Sequence, residues 1–518
     1  MTHRHLLWAA FAATLGLAAC GGSDDSAGPA PAPAPSPAPA PAPAPAPSPA
    51  PAPSPAPAPA PSGDRIEPLD TANLPRSEPV KAMTAAVSRL PAGASVARVA
   101  LGPLVANKRA ASPDKGAALQ IGTGREIGAT TAPADTARQW RWQRLADGSQ
   151  VAAISFAAEG AQALRLGVLA QELPAGAVLR FYGAAGDKVV EMPAAELAAL
   201  RLTNEAAGLS GDAARMVWGP DTAGAQSTLE VQLPAGATPG QLRLAVPQLS
   251  HLTQTVAQAS DGIGKNTAQI GDSGSCNVDI MCGSYQTEGR SVAKMVFTKG
   301  GSTYLCTGTL LNDTRNSQTP YFLSAAHCIA DQAAASTLLT YWFFRAEACN
   351  SSPKFDPNAV RLSGGAQLLY TRTAVDTTLL RLNAAPPANV VYAGSYFGAA
   401  VVAGTDVLGV HHPSGDLQKM SIGSVRGFVS CSGFNSGGTT NCAAANRDTG
   451  TMFSVLWRQG TTEGGSSGSA IFAQTGNTRY VVGALSSGSA SCANPSGTDS
   501  YGRFELSFAD GIKDWLTR

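Results

Sequence analysis

The chain is 518 residues long, which at roughly 150 residues per domain allows about three packed units, but 17 of its 37 prolines fall between Pro29 and Pro61, in a stretch of Pro, Ala and occasional Ser that cannot build a core. Thirty-seven basic against 36 acidic side chains leave a formal charge of +1, so no basic field is available for phosphates and nucleic acid is not expected as a partner. Fifty-five glycines and a charged fraction of 14% argue against long exposed helices and for a strand-and-turn protein.

The chain begins with a basic start, Met1 to His5, and an apolar run of twelve residues, Leu6 to Leu17. That run is too short to cross a bilayer, which takes about 20 residues, and it closes with Leu17-Ala18-Ala19-Cys20. Residues 1–19 therefore read as a secretory signal. The closing tetrapeptide resembles the lipobox of bacterial lipoproteins; the alternative is an ordinary cleaved signal with an incidental cysteine. The resemblance implies that Cys20 is acylated and tethers the chain to a membrane, and Gly21 in place of an aspartate favours the outer membrane. The expected location is the bacterial cell envelope, with release outside after processing. Residues 20–63 then form the attachment cysteine and a semi-rigid polyproline stalk, about 3.1 Å per residue and on the order of 100 Å long.

Residues 64–265 contain no cysteine, one histidine (His251) and no catalytic constellation. Leu-Pro-Ala-Gly-Ala recurs at Leu90, Leu173 and Leu233 at unequal intervals, which argues against a repeat protein and for strand-ending turns. Trp140-Arg141-Trp142, Ala163 to Leu166, Val178 to Tyr182 and Thr228 to Leu233 alternate as half-buried strands do. A β-sandwich-like domain is expected, with Ala195 to Arg201 its one helical stretch.

From Gly271 onward the chain carries eight cysteines: Cys276, Cys282, Cys306, Cys328, Cys349, Cys431, Cys442 and Cys492. An even set in an exported chain implies four disulfides, whose connectivity counting leaves open. A zinc site is the rival, but there is no Cys-x-x-Cys pair and the histidines are not spaced to complete one. Any general base here must be His327, His411 or His412. His327 ends the apolar run Tyr321-Phe322-Leu323-Ser324-Ala325-Ala326-His327. Asp376 opens another, Asp376-Thr377-Thr378-Leu379-Leu380, and Glu463-Gly464-Gly465-Ser466-Ser467-Gly468-Ser469 offers a serine among glycines that let backbone N–H groups approach a carbonyl. Gly464 to Gly468 also fits the nucleophile elbow of α/β-hydrolases, but that template needs a histidine after the serine and none follows His412. The order His327, Asp376, Ser467 is that of the chymotrypsin type.

Those motifs, together with Gly274-Ser275-Cys276-Asn277-Val278-Asp279, Cys306-Thr307-Gly308, His411-His412-Pro413 and Asp499-Ser500-Tyr501-Gly502-Arg503, make residues 271–518 resemble the lysyl endopeptidase branch of the trypsin-like serine peptidases, in colinear order. The resemblance implies an all-β, chymotrypsin-like double β-barrel with a C-terminal helix. It implies Ser467 as nucleophile, His327 as general base, Asp376 as the group orienting the imidazole, and the N–H groups of Gly465 and Ser467 as the oxyanion hole. Asp499 would lie at the bottom of a specificity pocket walled by Ser486 and Gly488, so the expected substrates are proteins or peptides cut after Lys or Arg. Ser486 stands where the family has a histidine, and the family's stacking tryptophan is replaced near Cys431, which leaves Lys-only against Lys-and-Arg preference open. The implied pairings are Cys276 with Cys492, Cys282 with Cys349 and Cys306 with Cys328, leaving Cys431 to Cys442. No cofactor or metal is implied, and a monomer is expected.

His411 and His412, adjacent on a strand, would face opposite sides, one buried and hydrogen-bonded. Val390 to Val402 reads as barrel strands, and Phe508, Ile512, Trp515 and Leu516 share a helical face. Residues 64–265 are expected to act as a prosegment, with self-processing between Lys265 and Gly271; a polymer-binding module is the alternative. The rival to an enzyme is a catalytically silent surface adhesin on a peptidase scaffold, which predicts a broken triad, whereas all three residues are present.

Overall fold

The structure is a computed structural model that describes residues 63–74, 86–104, 115–183, 188–254, 272–432 and 440–518. Cys20, the Pro/Ala tract and the Lys265 to Gly271 segment lie outside the described residues.

The first large body is a sandwich of two sheets. One orders the strands Val190–Pro193, Val178–Tyr182, Gln226–Leu233, Gln150–Ala158 and Ala97–Leu101; the other orders Met216–Trp218, Ala163–Glu172, Arg243–Leu252 and Gly122–Glu126. Alternation puts Ile154, Phe156, Leu179, Phe181, Leu229 and Val231 of the first sheet against Leu164, Leu166, Leu244 and Val246 of the second, each burial worth about 1.5–3 kcal/mol. Two copies of Leu-Pro-Ala-Gly-Ala end strands, and Gly176 and Gly236 there take φ of +81° and +87°, angles that favour glycine. The copy at Leu90 instead precedes the strand Ala97–Leu101. Trp140-Arg141-Trp142 forms no strand: pairing begins only at Gln143–Arg144. Both tryptophan rings turn to the core, 6.0 Å apart, but the three residues follow the helix Pro133–Ala137 too closely to build a ladder. The helix expected at Ala195 to Arg201 is longer, Ala194–Ala206.

The second half forms two antiparallel barrels. The first runs Val360–Leu362, Leu339–Trp342, Val292–Lys299, Ser302–Leu311, Tyr321–Ser324, Thr377–Leu382 and Ala366–Arg372. The second runs Thr478–Gly488, Ala470–Thr475, Asp406–His411, Lys419–Cys431, Met452–Gln459 and Thr498–Arg503, and the last strand pairs back to the first. The helical C-terminus from Phe504 to Leu516 buries Phe508, Ile512 and Leu516, completing a chymotrypsin-like double barrel. Val390 to Val402 contributes only two short strands, Val391–Tyr392 and Ser395–Tyr396. Disulfides join Cys276 to Cys492, Cys282 to Cys349, Cys306 to Cys328 and Cys431 to Cys442.

The two halves are tied together. Arg65–Ile66 and Leu69–Asp70 pair with strands of the second half, and Ile66 is buried in its core. Asp70 accepts from the Arg290 guanidinium at 2.8 Å, which helps hold its carboxyl below the usual range against the opposing effect of burial. Arg165, fully buried on the sandwich strand Ala163–Glu172, donates to Gly219 O at 3.0 Å, Thr298 Oγ1 at 2.9 Å and Thr337 O at 2.7 Å. Asp221 accepts from the Tyr341 hydroxyl at 2.6 Å and lies 3.2 Å from Arg361 Nη1.

Candidate active site

The strand Tyr321–Ser324 runs into the turn that carries His327. A short turn at Thr373–Val375 ends on Asp376, which sits in the left-handed region at φ +47° immediately before the strand Thr377–Leu382; aspartate is among the few side chains that adopt it readily. Asp376 is buried and grips His327 at two points, accepting from the His327 backbone N–H through Oδ1 at 2.8 Å and pairing with Nδ1 through Oδ2 at 2.7 Å.

The serine loop is fixed by its neighbours. Gly465 and Gly468 take φ of +91° and +82°, and a Cβ on Gly468 would fall 2.1 Å from Ser324 Oγ, so no other residue fits there. Thr307 donates its hydroxyl to Gly465 O at 2.8 Å and its N–H to Ser467 O at 2.8 Å. Ser414 N donates to Gly464 O at 2.7 Å.

His411 and His412 are both fully buried, where one buried histidine was expected. The strand ends at His411 and the chain turns at Pro413–Gly415, so alternation does not extend to His412. Ser421 Oγ donates to Thr461 O and therefore accepts from His411 Nε2 at 3.0 Å; His411 Nδ1 is left to accept from Ser466 Oγ at 2.9 Å. His412 Nδ1 donates to Asp416 O at 3.0 Å. Burial, above all, pushes both imidazoles down to about 3, so at neutral pH both are uncharged, and His411 braces the serine loop through Ser466.

Asp499 is fully buried. Its Oδ2 accepts from Trp457 Nε1 at 2.7 Å and Thr462 Oγ1 at 2.6 Å, while Oδ1 accepts from the ammonium of Lys115 at 2.8 Å. That ammonium also donates to Ala490 O. A Cβ on Gly488 would lie 2.0 Å from Asp499 Oδ1, so glycine keeps the carboxylate accessible. Ser486 is buried beside this region, its hydroxyl without a hydrogen bond. The Ser467 hydroxyl donates to the Lys115 carbonyl at 2.9 Å. Lys115, Trp457 and Thr462 escaped the sequence reading; Trp457 lies in the alternating strand Met452–Gln459, the one signal that could have raised it.

Among the described residues, Cys306, His327 and Cys328 place ligand atoms within 4.8 Å of one another. The two sulfurs are bonded to each other and offer no thiolate to an ion.

Two solved proteases give weak overall superpositions: Rv3671c from M. tuberculosis in its active form, 15% identical over 45% of this chain and 84% of that chain at TM-score 0.29, and Anisep from Arthrobacter nicotinovorans, 17% identical over 43% and 95% at TM-score 0.30. In sequence, the lysyl endopeptidase of Pseudomonas aeruginosa is 34% identical over 407 residues, 76% of this chain and 79% of the relative. The family profile for the lysyl endopeptidase C-terminal domain matches residues 270–502, and that for the N-terminal domain matches residues 89–253. The chain is a serine peptidase and belongs to the lysyl endopeptidase family.

Proposed function

We propose that the protein is an endopeptidase that hydrolyses the bond after lysine through an acyl-enzyme on Ser467. The observation that carries this reading is the seating of Lys115, with its ammonium on Asp499 and its carbonyl on the Ser467 hydroxyl. Asp376 holds His327 Nδ1 as the protonated nitrogen, leaving Nε2 as the base that takes the Ser467 proton and returns it to the leaving amine. The N–H groups of Gly465 and Ser467 receive the oxyanion, each such donor being worth about 2.7–4 kcal/mol in enzymes of this kind.

The pocket chemistry favours lysine over arginine. One oxygen of Asp499 is committed to Trp457 and Thr462, leaving Oδ1 and the Ala490 carbonyl for the substrate. Separate acceptors suit a compact ammonium with three donors, whereas a guanidinium fork gains most from both oxygens of one carboxylate. The same reading keeps the enzyme a monomer on the outer membrane through an acylated Cys20. It is tested with matched peptides differing only in Lys or Arg before the cut. A kcat/KM at least tenfold higher for Lys, abolished in Ser467→Ala, is expected; equal turnover by that variant, or an arginine preference, would refute it.

A further inference from the structure

The group that fills the lysine pocket comes from the chain itself, 352 residues before Ser467. Lys115 is 4% exposed and Gly116 is buried beside it. From there the chain leaves along the first barrel: Leu119–Gln120 pairs antiparallel with Tyr304–Leu305, and Ile121 N donates to Thr303 O at 2.9 Å before the sandwich strand Gly122–Glu126 begins. An ammonium on the pocket carboxylate, a carbonyl on the nucleophile's hydroxyl and the following residues laid as a strand on the barrel make up the pose of a substrate.

We infer that Lys115–Gly116 is the enzyme's own first substrate: it occupies the active site before maturation, excludes other substrates, and is the bond that Ser467 cuts. The inference rests on the lysine-directed reading above. Ser467 Oγ bonds to the Lys115 carbonyl carbon as the bond to Gly116 N breaks, and the serine proton passes through His327 to the Gly116 amine. Water then hydrolyses the ester, leaving a carboxylate on Lys115 and restoring Ser467. The leaving amine is not free to diffuse, because the strand after it stays paired to the barrel and Arg165 locks the sandwich to the peptidase. Religation therefore competes with hydrolysis, which makes the segment an inhibitor as well as a substrate. One cut here does not detach the stalk side, since Arg65–Ile66, Leu69–Asp70 and Ala97–Leu101 keep their partners beyond the cut.

The full chain after signal removal is followed by intact mass and N-terminal sequencing, beside Ser467→Ala, Lys115→Ala and the double variant. Wild type should yield a fragment beginning at Gly116 that co-elutes with its N-terminal partner, and Ser467→Ala should not. Lys115→Ala should lack that fragment and turn over Lys peptides at once, at least tenfold faster than uncut wild type. Pocket occupancy is read without catalysis by fluorescence anisotropy of a dye-labelled peptide ending in lysine: binding to the double variant should be at least tenfold tighter than to Ser467→Ala. That readout needs a native pocket, so a misfolded variant cannot reproduce it. Equal binding of that lysine peptide by those two, or Ser467-dependent activity from the first minute with no Gly116 terminus, would overturn the inference alone. Absence of Ser467-dependent cleavage of Lys peptides by every form would instead overturn the reading beneath it.

Discussion

Replacing Asp376 by asparagine tests the arrangement of the site at a single atom. Asparagine tolerates the left-handed backbone at φ +47°, so the substitution leaves the chain path intact. The His327 backbone N–H needs an acceptor where Oδ1 now stands, 2.8 Å away, and only the amide oxygen supplies one. The amide NH2 must then take the place of Oδ2, 2.7 Å from His327 Nδ1, and it can only donate. Nδ1 is forced to accept, the ring proton moves to Nε2, and the lone pair that the proposed mechanism assigns to the Ser467 proton is lost. Where this tautomer switch operates, the drop in kcat is about 10⁴, or about 5.5 kcal/mol of barrier. The assay is kcat on a Lys peptide in the Lys115→Ala background, with urea unfolding to show unchanged stability. A loss under tenfold would refute the assignment of Asp376 and His327 to one proton-transfer unit.

Gly488→Ala should lower kcat/KM for Lys peptides at least a hundredfold and lower the urea midpoint as well, because its Cβ would fall 2.0 Å from Asp499 Oδ1 and 2.6 Å from Asp499 Cα on the paired strand; unchanged kcat/KM would contradict the pocket assignment. Lys294 is buried over the rings of Phe344 and Tyr341, and desolvation pulls its ammonium down to about 7 from 10.5. Its folded value lies below the unfolded one, so the cost is full below about pH 7 and relieved as pH rises toward 10.5. Lys294→Met should therefore raise the urea midpoint more at pH 6 than at pH 10; a pH-independent difference would contradict this. His411 and His412 fall from 6.5 to about 3, so the unfolded chain binds more protons in that window and stability falls as pH drops through it, by about 1.4 kcal/mol per pH unit for each imidazole. His411→Gln should show a shallower decline between pH 6 and 4 by urea titration, and an unchanged slope would remove His411 from the balance.

The residues of the site were legible to different degrees. His327 follows one apolar strand, Asp376 opens another and Ser467 stands among glycines; these patterns and chain order nominate the three before any contact is known, and the structure brings Asp376 and His327 together. Lys115 could not be found that way: its partner Asp499 is 384 residues distant, and nothing local distinguishes a substrate lysine from a surface one. Trp457 reads as one more alternating strand residue; only closure of the second barrel brings its ring N–H to Asp499. Periodicity also failed where strands stop. At His411 and His412 the turn breaks alternation and buries both rings. At Trp140 to Trp142 the apolar faces were right but the backbone had no room for a ladder. The sandwich and barrels were legible because long alternating runs and turn glycines agree with each other.

The central claim, a lysine-directed nucleophile at Ser467, is tested most directly by covalent capture. Lys115→Ala enzyme is treated with a diphenyl phosphonate carrying a lysine-like side chain, and the adduct is located by peptide mass spectrometry. The account predicts one adduct, on Ser467, absent in His327→Ala and slowed at least tenfold in Asp499→Asn. An adduct at another residue, or equal labelling by a phosphonate with an uncharged side chain of the same length, would contradict it.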